Sequence, residues 1–185
     1  MRLRRRPRAR PPGGPLIRKT RIIGLGNTIL TDDGVGVYAA RELARRLPAG
    51  ADVDVIETEV AGFDLLERLV GWQRVILIDA VCFDDLPAGE VVRIAPTDLR
   101  TSLRIRSVHE VDLPTVLGLG RLMGMAMPDE VVIFCVQAED TCTLHEGLTP
   151  AVTLGLERVV ERVLAELAAP ALAPVLSSAQ EEVKP

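Results

Sequence analysis

Three carboxylates and one imidazole in this sequence have the types and settings to do chemistry. Asp32 and Asp33 stand side by side in GLGNTILTDDGVG (24–36), directly after a glycine-rich turn. Asp79 ends the apolar run RVILID (74–79), where a carboxylate is costly unless paired, hydrated or metal-bound. His109, one of only two histidines, lies in RSVHE (106–110). Two carboxylates and a neutral imidazole form a nitrogen and oxygen donor set that suits nickel, zinc or iron. Each residue also has a plainer reading. Asp32 or Asp33 caps a helix, Asp79 makes an Asx turn or a cap, and His109 makes a structural hydrogen bond. The chain has no HxxxH or HExxH spacing, so spacing alone says little about a metal.

Other chemistries fit less well. A dinucleotide turn needs a third glycine where this chain has Ile29, and a phosphate loop needs a Gly-Lys-Ser or Gly-Lys-Thr end that is missing. Asp32 and Asp33 would also repel phosphate at a helix start. Ser107 neighbours His109, but adjacent residues rarely pair as nucleophile and base, and no G-x-S-x-G elbow is present. Cys82, Cys135 and Cys142 form no CxxC pair and fit a reducing compartment, with the cytoplasm as the expected location.

The elements that must position these groups follow a βαβ rhythm, with short β-rich apolar runs alternating with longer periodic stretches. Strands are expected at 21–25, 53–57, 74–79, 90–94 and 131–136. Helices are expected at 34–47, 62–70, about 112–123 and 150–168, with Pro150 suited to a first turn. In a parallel α/β sheet, binding groups gather beyond the carboxyl ends of the strands. That is where Asn27, Asp32 and Asp33, then Asp79, then Gln137, Glu139 and Asp140 fall, and they converge only if the sheet is parallel there.

With 185 residues and 48% hydrophobic side chains, one domain with a real core is expected. Aromatic residues make up only 3%, so Leu, Val, Ile and Ala must build that core. Residues 1–19 hold eight basic side chains and no acid, and are expected to be a disordered leader or a misassigned start. The remainder carries 26 acidic against 14 basic residues, which argues against nucleic-acid binding. No apolar run reaches membrane-spanning length. The folded domain is expected at 20–168, followed by a loose Pro- and Ala-rich tail at 169–185.

Taken together, Gly24–Gly36, Val75–Val81, Ser107-Val108-His109 and His145-Glu146-Gly147-Leu148-Thr149-Pro150 resemble the nickel–iron hydrogenase maturation proteases. The resemblance runs over about residues 20–168, with the motifs in the same order. It implies a three-layer α-β-α domain with a mostly parallel five-stranded sheet and one antiparallel strand. It also implies an endopeptidase, of the kind classed as aspartyl-type, that removes a C-terminal extension from the hydrogenase large-subunit precursor after nickel insertion. Asp33, Asp79 and His109 match the family's ligands and would be both the metal-contacting and the catalytic residues. The nickel would arrive in the precursor, so neither a resident metal nor an organic cofactor is required, and other maturation factors are possible partners. Asp32 would cap the helix or orient the loop, and His145 and Thr149 would shape the cleft or the start of the last helix. One departure stands out: Thr58-Glu59-Val60-Ala61-Gly62 keeps the family's later glycine as Gly62 but has bulkier residues in place of the glycine pair of a Gly-Gly-Thr or Gly-Gly-Ser stretch, which bears on which hydrogenase is processed. A non-catalytic checkpoint on nickel-loaded precursor, or a small-molecule hydrolase on a similar fold, are the rival readings.

Overall fold

The computed structural model describes residues 20–59, 64–94 and 113–169. In chain order the elements are β1 (Thr20–Leu25), a single 3₁₀ turn (Thr31–Gly34), α1 (Val35–Arg46), β2 (Val53–Thr58), α2 (Asp64–Leu69) and β3 (Arg74–Val81). They continue with β4 (Val91–Ile94), α3 (Leu113–Leu122), β5 (Glu130–Gln137) and α4 (Pro150–Ala168). Among the described residues the strands form one sheet in the order β2-β1-β3-β5-β4, parallel throughout except for β4, which runs antiparallel to β5. The expected architecture is therefore observed.

Side chains alternate across a strand, so each strand feeds two layers. Ile22, Ile76, Ile78, Val132, Phe134 and Val136 point to one face and pack with Val35, Ala39 and Leu43 of α1 and with Val152, Val159, Val160 and Val163 of α4. Ile23, Val75, Leu77, Ile133 and Cys135 point to the other, against Leu65, Leu66 and Leu69 of α2 and Leu113, Val116 and Leu117 of α3. Burying each such aliphatic side chain contributes about 1.5–3 kcal/mol. Helices on both faces explain why β3 reads as a nearly unbroken apolar run.

Strand β3 ends later than its sequence implies. It does not stop at Asp79; Ala80 and Val81 stay in the sheet, paired with Val136 and Gln137 of β5. Gln137 likewise belongs to β5 instead of following it. Asp79 thus lies within the last turn of pleating, opposite Cys135 and on the α2–α3 face. Among the described residues no helix is long and apolar enough to cross a membrane.

The β1–β3 pair is the point at which the strand order reverses, because β2 lies beyond β1 and β5 beyond β3. Sheets of this kind leave a crevice there, at the carboxyl ends of the strands. Helix α1 approaches that crevice closely because two glycines permit it. A Cβ on Gly24 would lie 2.1 Å from the Gly36 carbonyl oxygen, and one on Gly36 would lie 2.3 Å from the carbonyl oxygens of both Leu25 and Ile78.

Candidate active site

The turn after β1 delivers Asp33 to this crevice. Gly26 opens the turn at φ +138, and a Cβ there would lie 1.9 Å from the Asp33 carbonyl oxygen, so the turn closes on itself only with glycine. Asn27 then makes an Asx turn, its Oδ1 accepting from the Ile29 amide at 3.1 Å. The Asn27 amide donates to Asp33 Oδ2 at 2.8 Å, fixing that carboxylate, which is 1% exposed. The 3₁₀ turn packs against β3, and Gly36 meets Ile78, the residue before Asp79. The fold thereby brings the Asp33 turn up to the Asp79 end of β3.

Asp79 is 5% exposed, and its Oδ1 accepts from the Ala80 amide at 2.9 Å within a buried setting. The Cys135 thiol faces it from the next strand. Burial, and secondarily the charge of Asp79, push that thiol well above its usual range, which disfavours a nucleophilic thiolate. His109 lies outside the described residues, as do Ser107 and Val60, Ala61 and Gly62 of the departing stretch.

Neither Asp32 nor Asp33 caps a helix: the 3₁₀ turn and α1 both begin without a side-chain cap. Asp32 instead reaches across to the β5–α4 connection. Its carboxylate accepts from the amides of Glu139 and Asp140 and from the amide and hydroxyl of Thr149. These bonds tie its turn to that connection and correct the capping alternative. Thr149 is the residue before Pro150 at the start of α4, so its expected place at the last helix start is also observed. The exposed His145 contributes its backbone, which bridges Leu30 and accepts from the Thr31 amide at 3.0 Å.

The remaining polar residues serve the loops around the crevice. Gln137 Oε1 accepts from the Phe83 amide at 2.9 Å while its Nε2 donates to the Phe83 and Ala138 carbonyls, tying the segment after β3 to β5. Asp140 Oδ1 accepts from the amides of Cys142 and Thr143. The Thr143 hydroxyl first, then those two amides, hold the Asp140 carboxyl below the ordinary aspartate range. Glu139 is exposed. Thr31 carried no signal in the sequence, yet it is the one described non-glycine residue at positive φ (48°), buried, with its hydroxyl donating to the Thr143 carbonyl at 2.7 Å. Strain of this kind costs about 1–3 kcal/mol and gathers at functional sites. Among the described residues no three His, Cys, Asp or Glu side chains cluster as a ready metal site.

Comparison with known proteins gives a consistent answer. The family model for hydrogenase maturation protease (HycI) matches residues 37–166. The hydrogenase 2 maturation protease of Escherichia coli K12 is 28% identical over 147 residues, covering 79% of this chain and 88% of that protein. The hydrogenase expression/formation protein HupD of Rhodobacter capsulatus is 27% identical over 152 residues, covering 80% and 70%. Among solved structures, the hydrogenase maturating endopeptidase HybD from E. coli superposes with a TM-score of 0.68 at 27% identity over 81% of this chain and 92% of its own. HybD from Thermococcus kodakarensis gives 0.62 at 28% identity over 82% and 99%.

Proposed function

The chain belongs to the hydrogenase maturation proteases, and from that premise we propose that this peptidase removes a C-terminal extension from a nickel–iron hydrogenase large-subunit precursor, recognising the nickel already in it. The observation that carries the reading is a pair of buried carboxylates, Asp33 and Asp79, delivered to the switch point of the sheet by separate elements. Two carboxylates at one crevice, each steadied by a backbone amide, offer the negative charge and oxygen donors that a divalent cation takes. A substrate that brings its own nickel supplies that cation on docking.

His109 completes the proposed contact set. It stands four residues before Leu113, and Leu113 is buried on the same sheet face towards which Asp79 points. Oxygen and imidazole donors can add to nickel held by the precursor's thiolates without extracting it. A precursor without nickel lacks that anchor, so recognition and quality control become one event.

The reaction is peptide hydrolysis. Water attacks the scissile carbonyl carbon, its proton passes to a carboxylate, the C–N bond breaks and the proton leaves on the departing amine. We assign the base to Asp79 and the leading metal contact to Asp33. A polarising cation near the carbonyl oxygen and a fixed base supply the catalysis. Cys135 takes no part as nucleophile, because burial holds it as the thiol.

The test is intact-mass spectrometry of large-subunit precursors incubated with the protein, with and without nickel. The expected result is loss of one defined C-terminal peptide from the loaded precursor only, abolished by Asp33→Asn and by His109→Ala. Binding without a mass change would support a checkpoint instead. Neither binding nor cleavage across several precursor classes would overturn the proposal.

A further inference from the structure

Asp32 is fully buried, at 0% exposure, and its carboxylate is filled by donors from a single distant segment. Oδ1 accepts from the Thr149 amide at 2.7 Å, and Oδ2 accepts from the Glu139 amide, the Asp140 amide and the Thr149 hydroxyl, each at 3.0 Å. The Asp32 amide returns a bond to the Asp140 carbonyl at 2.9 Å. An ionised carboxylate offers about four lone-pair sites, two on each oxygen, so Oδ2 is saturated and Oδ1 is already engaged by the Thr149 amide. Asp33, the next residue, has a different surrounding: its Oδ2 takes the amide of Asn27 in its own turn. Successive residues of a 3₁₀ turn point about 120° apart, which is how two neighbouring acids serve two separate places.

The bonds of Asp32 reach both ends of the 139–149 connection, Glu139 and Asp140 at its start and Thr149 at the head of α4. Between them Thr31 adds its hydroxyl bond to the Thr143 carbonyl, its amide bond to the His145 carbonyl, and a φ of 48° that those bonds must hold in place. The His145 amide donates in turn to the Ile29 carbonyl at 3.1 Å. The turn bearing Asp33 is therefore clasped along its length to one loop, with a buried charge at the centre.

We propose that Asp32 is a positioning residue for the cleavage reaction: it touches neither nickel nor peptide, and it fixes the direction of the Asp33 carboxylate by locking residues 30–33 to the 139–149 loop. The inference rests on the proposed role of Asp33, but its structural part can be read without any substrate. In Asp32→Asn the amide group of the new side chain turns donors towards donors, so part of the clasp must open. Misplacing a contact group by about 1 Å costs on the order of 10²-fold in rate.

The experiment compares Asp32→Asn, Thr149→Val and Asp33→Asn. Thr149→Val removes one donor, keeps the shape and leaves three backbone amides on Asp32, so it serves as the folded variant should Asp32→Asn fail to fold. Amide hydrogen exchange is followed at Asn27, Glu139 and Asp140, alongside single-turnover cleavage of nickel-loaded precursor and its equilibrium binding. The expected result is faster exchange at all three amides in Asp32→Asn, with a smaller rise in Thr149→Val. Cleavage per folded molecule should fall by about 10²-fold in the first and by several-fold in the second, with affinity for loaded precursor nearly kept. Asp33→Asn should instead lose the nickel-dependent part of binding. Unchanged exchange at Asn27 in both Asp32→Asn and Thr149→Val would overturn the proposal whatever the substrate proves to be. So would loss of nickel-dependent binding in Asp32→Asn equal to that in Asp33→Asn, which would make Asp32 a ligand. Altered exchange with no cleavage by the unsubstituted protein would contradict the proposed function and leave the clasp itself supported.

Discussion

Replacing Gly36 by alanine tests whether α1 sits against the sheet as closely as described. The added Cβ would lie 2.3 Å from the carbonyl oxygens of Leu25 and Ile78 and 2.9 Å from the Leu25 amide nitrogen. These are backbone atoms of β1 and β3, paired on both sides, so they cannot rotate away as a side-chain tip would. Ordinary packing needs about 1 Å more, so α1 must lift and loosen the contacts of Val35, Ala39 and Leu43. Overpacking costs about 1–3 kcal/mol, and an unyielding backbone on both sides puts this case at about 3. The gain in helix propensity of about 1 kcal/mol offsets part of that, leaving a loss of about 2 kcal/mol. With a urea slope of about 2 kcal/mol/M, the unfolding midpoint should fall by about 1 M. Gly118 is the control: it lies in α3, is exposed, and a Cβ there meets nothing within 4 Å. Gly118→Ala should raise stability by about 0.5–1 kcal/mol. A midpoint for Gly36→Ala equal to or above that of the parent would refute the close approach. So would equal shifts of the same sign for the two variants.

Two further expectations follow from the groups around the crevice. Carbon-13 carboxyl titration should place Asp140 below 3.8, since the Thr143 hydroxyl and two amides favour its charged form. The sign follows: its contribution to loop order is complete above 3.8 and is lost as pH falls through the lower folded value, so Thr143→Val should move the midpoint up. A midpoint at or above 3.8 in the folded protein would contradict this. In a thiol-reagent titration, Cys82 and Cys142 should react in the native protein, and Cys135 only on unfolding, because it alone of the three is buried. Fast native reaction of all three would show that the β3–β5 face near Asp79 is open to solvent.

Local pattern carried the fold where local forces decide it. Helix α4 starts at Pro150 and runs to Ala168 as its proline and apolar spacing imply, because a missing amide at the first position and a buried stripe are both readable from neighbours in the chain. Strand β3 was harder. Asp79 looks like a stop, but pairing of Ala80 and Val81 with β5 carries the strand past it. Asp32 shows the same limit more sharply. A helix cap needs donors two or three residues ahead, whereas the donors it uses are 107 to 117 residues away. Such a partnership depends on the placing of β5 and α4 and leaves no mark near residue 32. Thr31 is similar, since the bonds that accompany its positive φ go to Thr143 and His145, far along the chain. Asp33 and Asp79 stand out as candidates in the sequence because strand-end carboxylates in an apolar context are chemically unusual, and the parallel pairing of β1 with β3 places both at neighbouring strand ends.

On the proposed reading, Asp33 leads the contact with the nickel carried by the substrate, and Asp79 and His109 complete the set. Nickel K-edge X-ray absorption, on loaded precursor alone and frozen within its first turnover with this protein, tests it most directly. The expected result is added oxygen or nitrogen scattering around a thiolate-held nickel in the complex, reduced when Asp33→Asn and Asp79→Asn are combined and lost when His109→Ala is added to them. A nickel shell that is identical in the free precursor and in the bound complex would contradict the account.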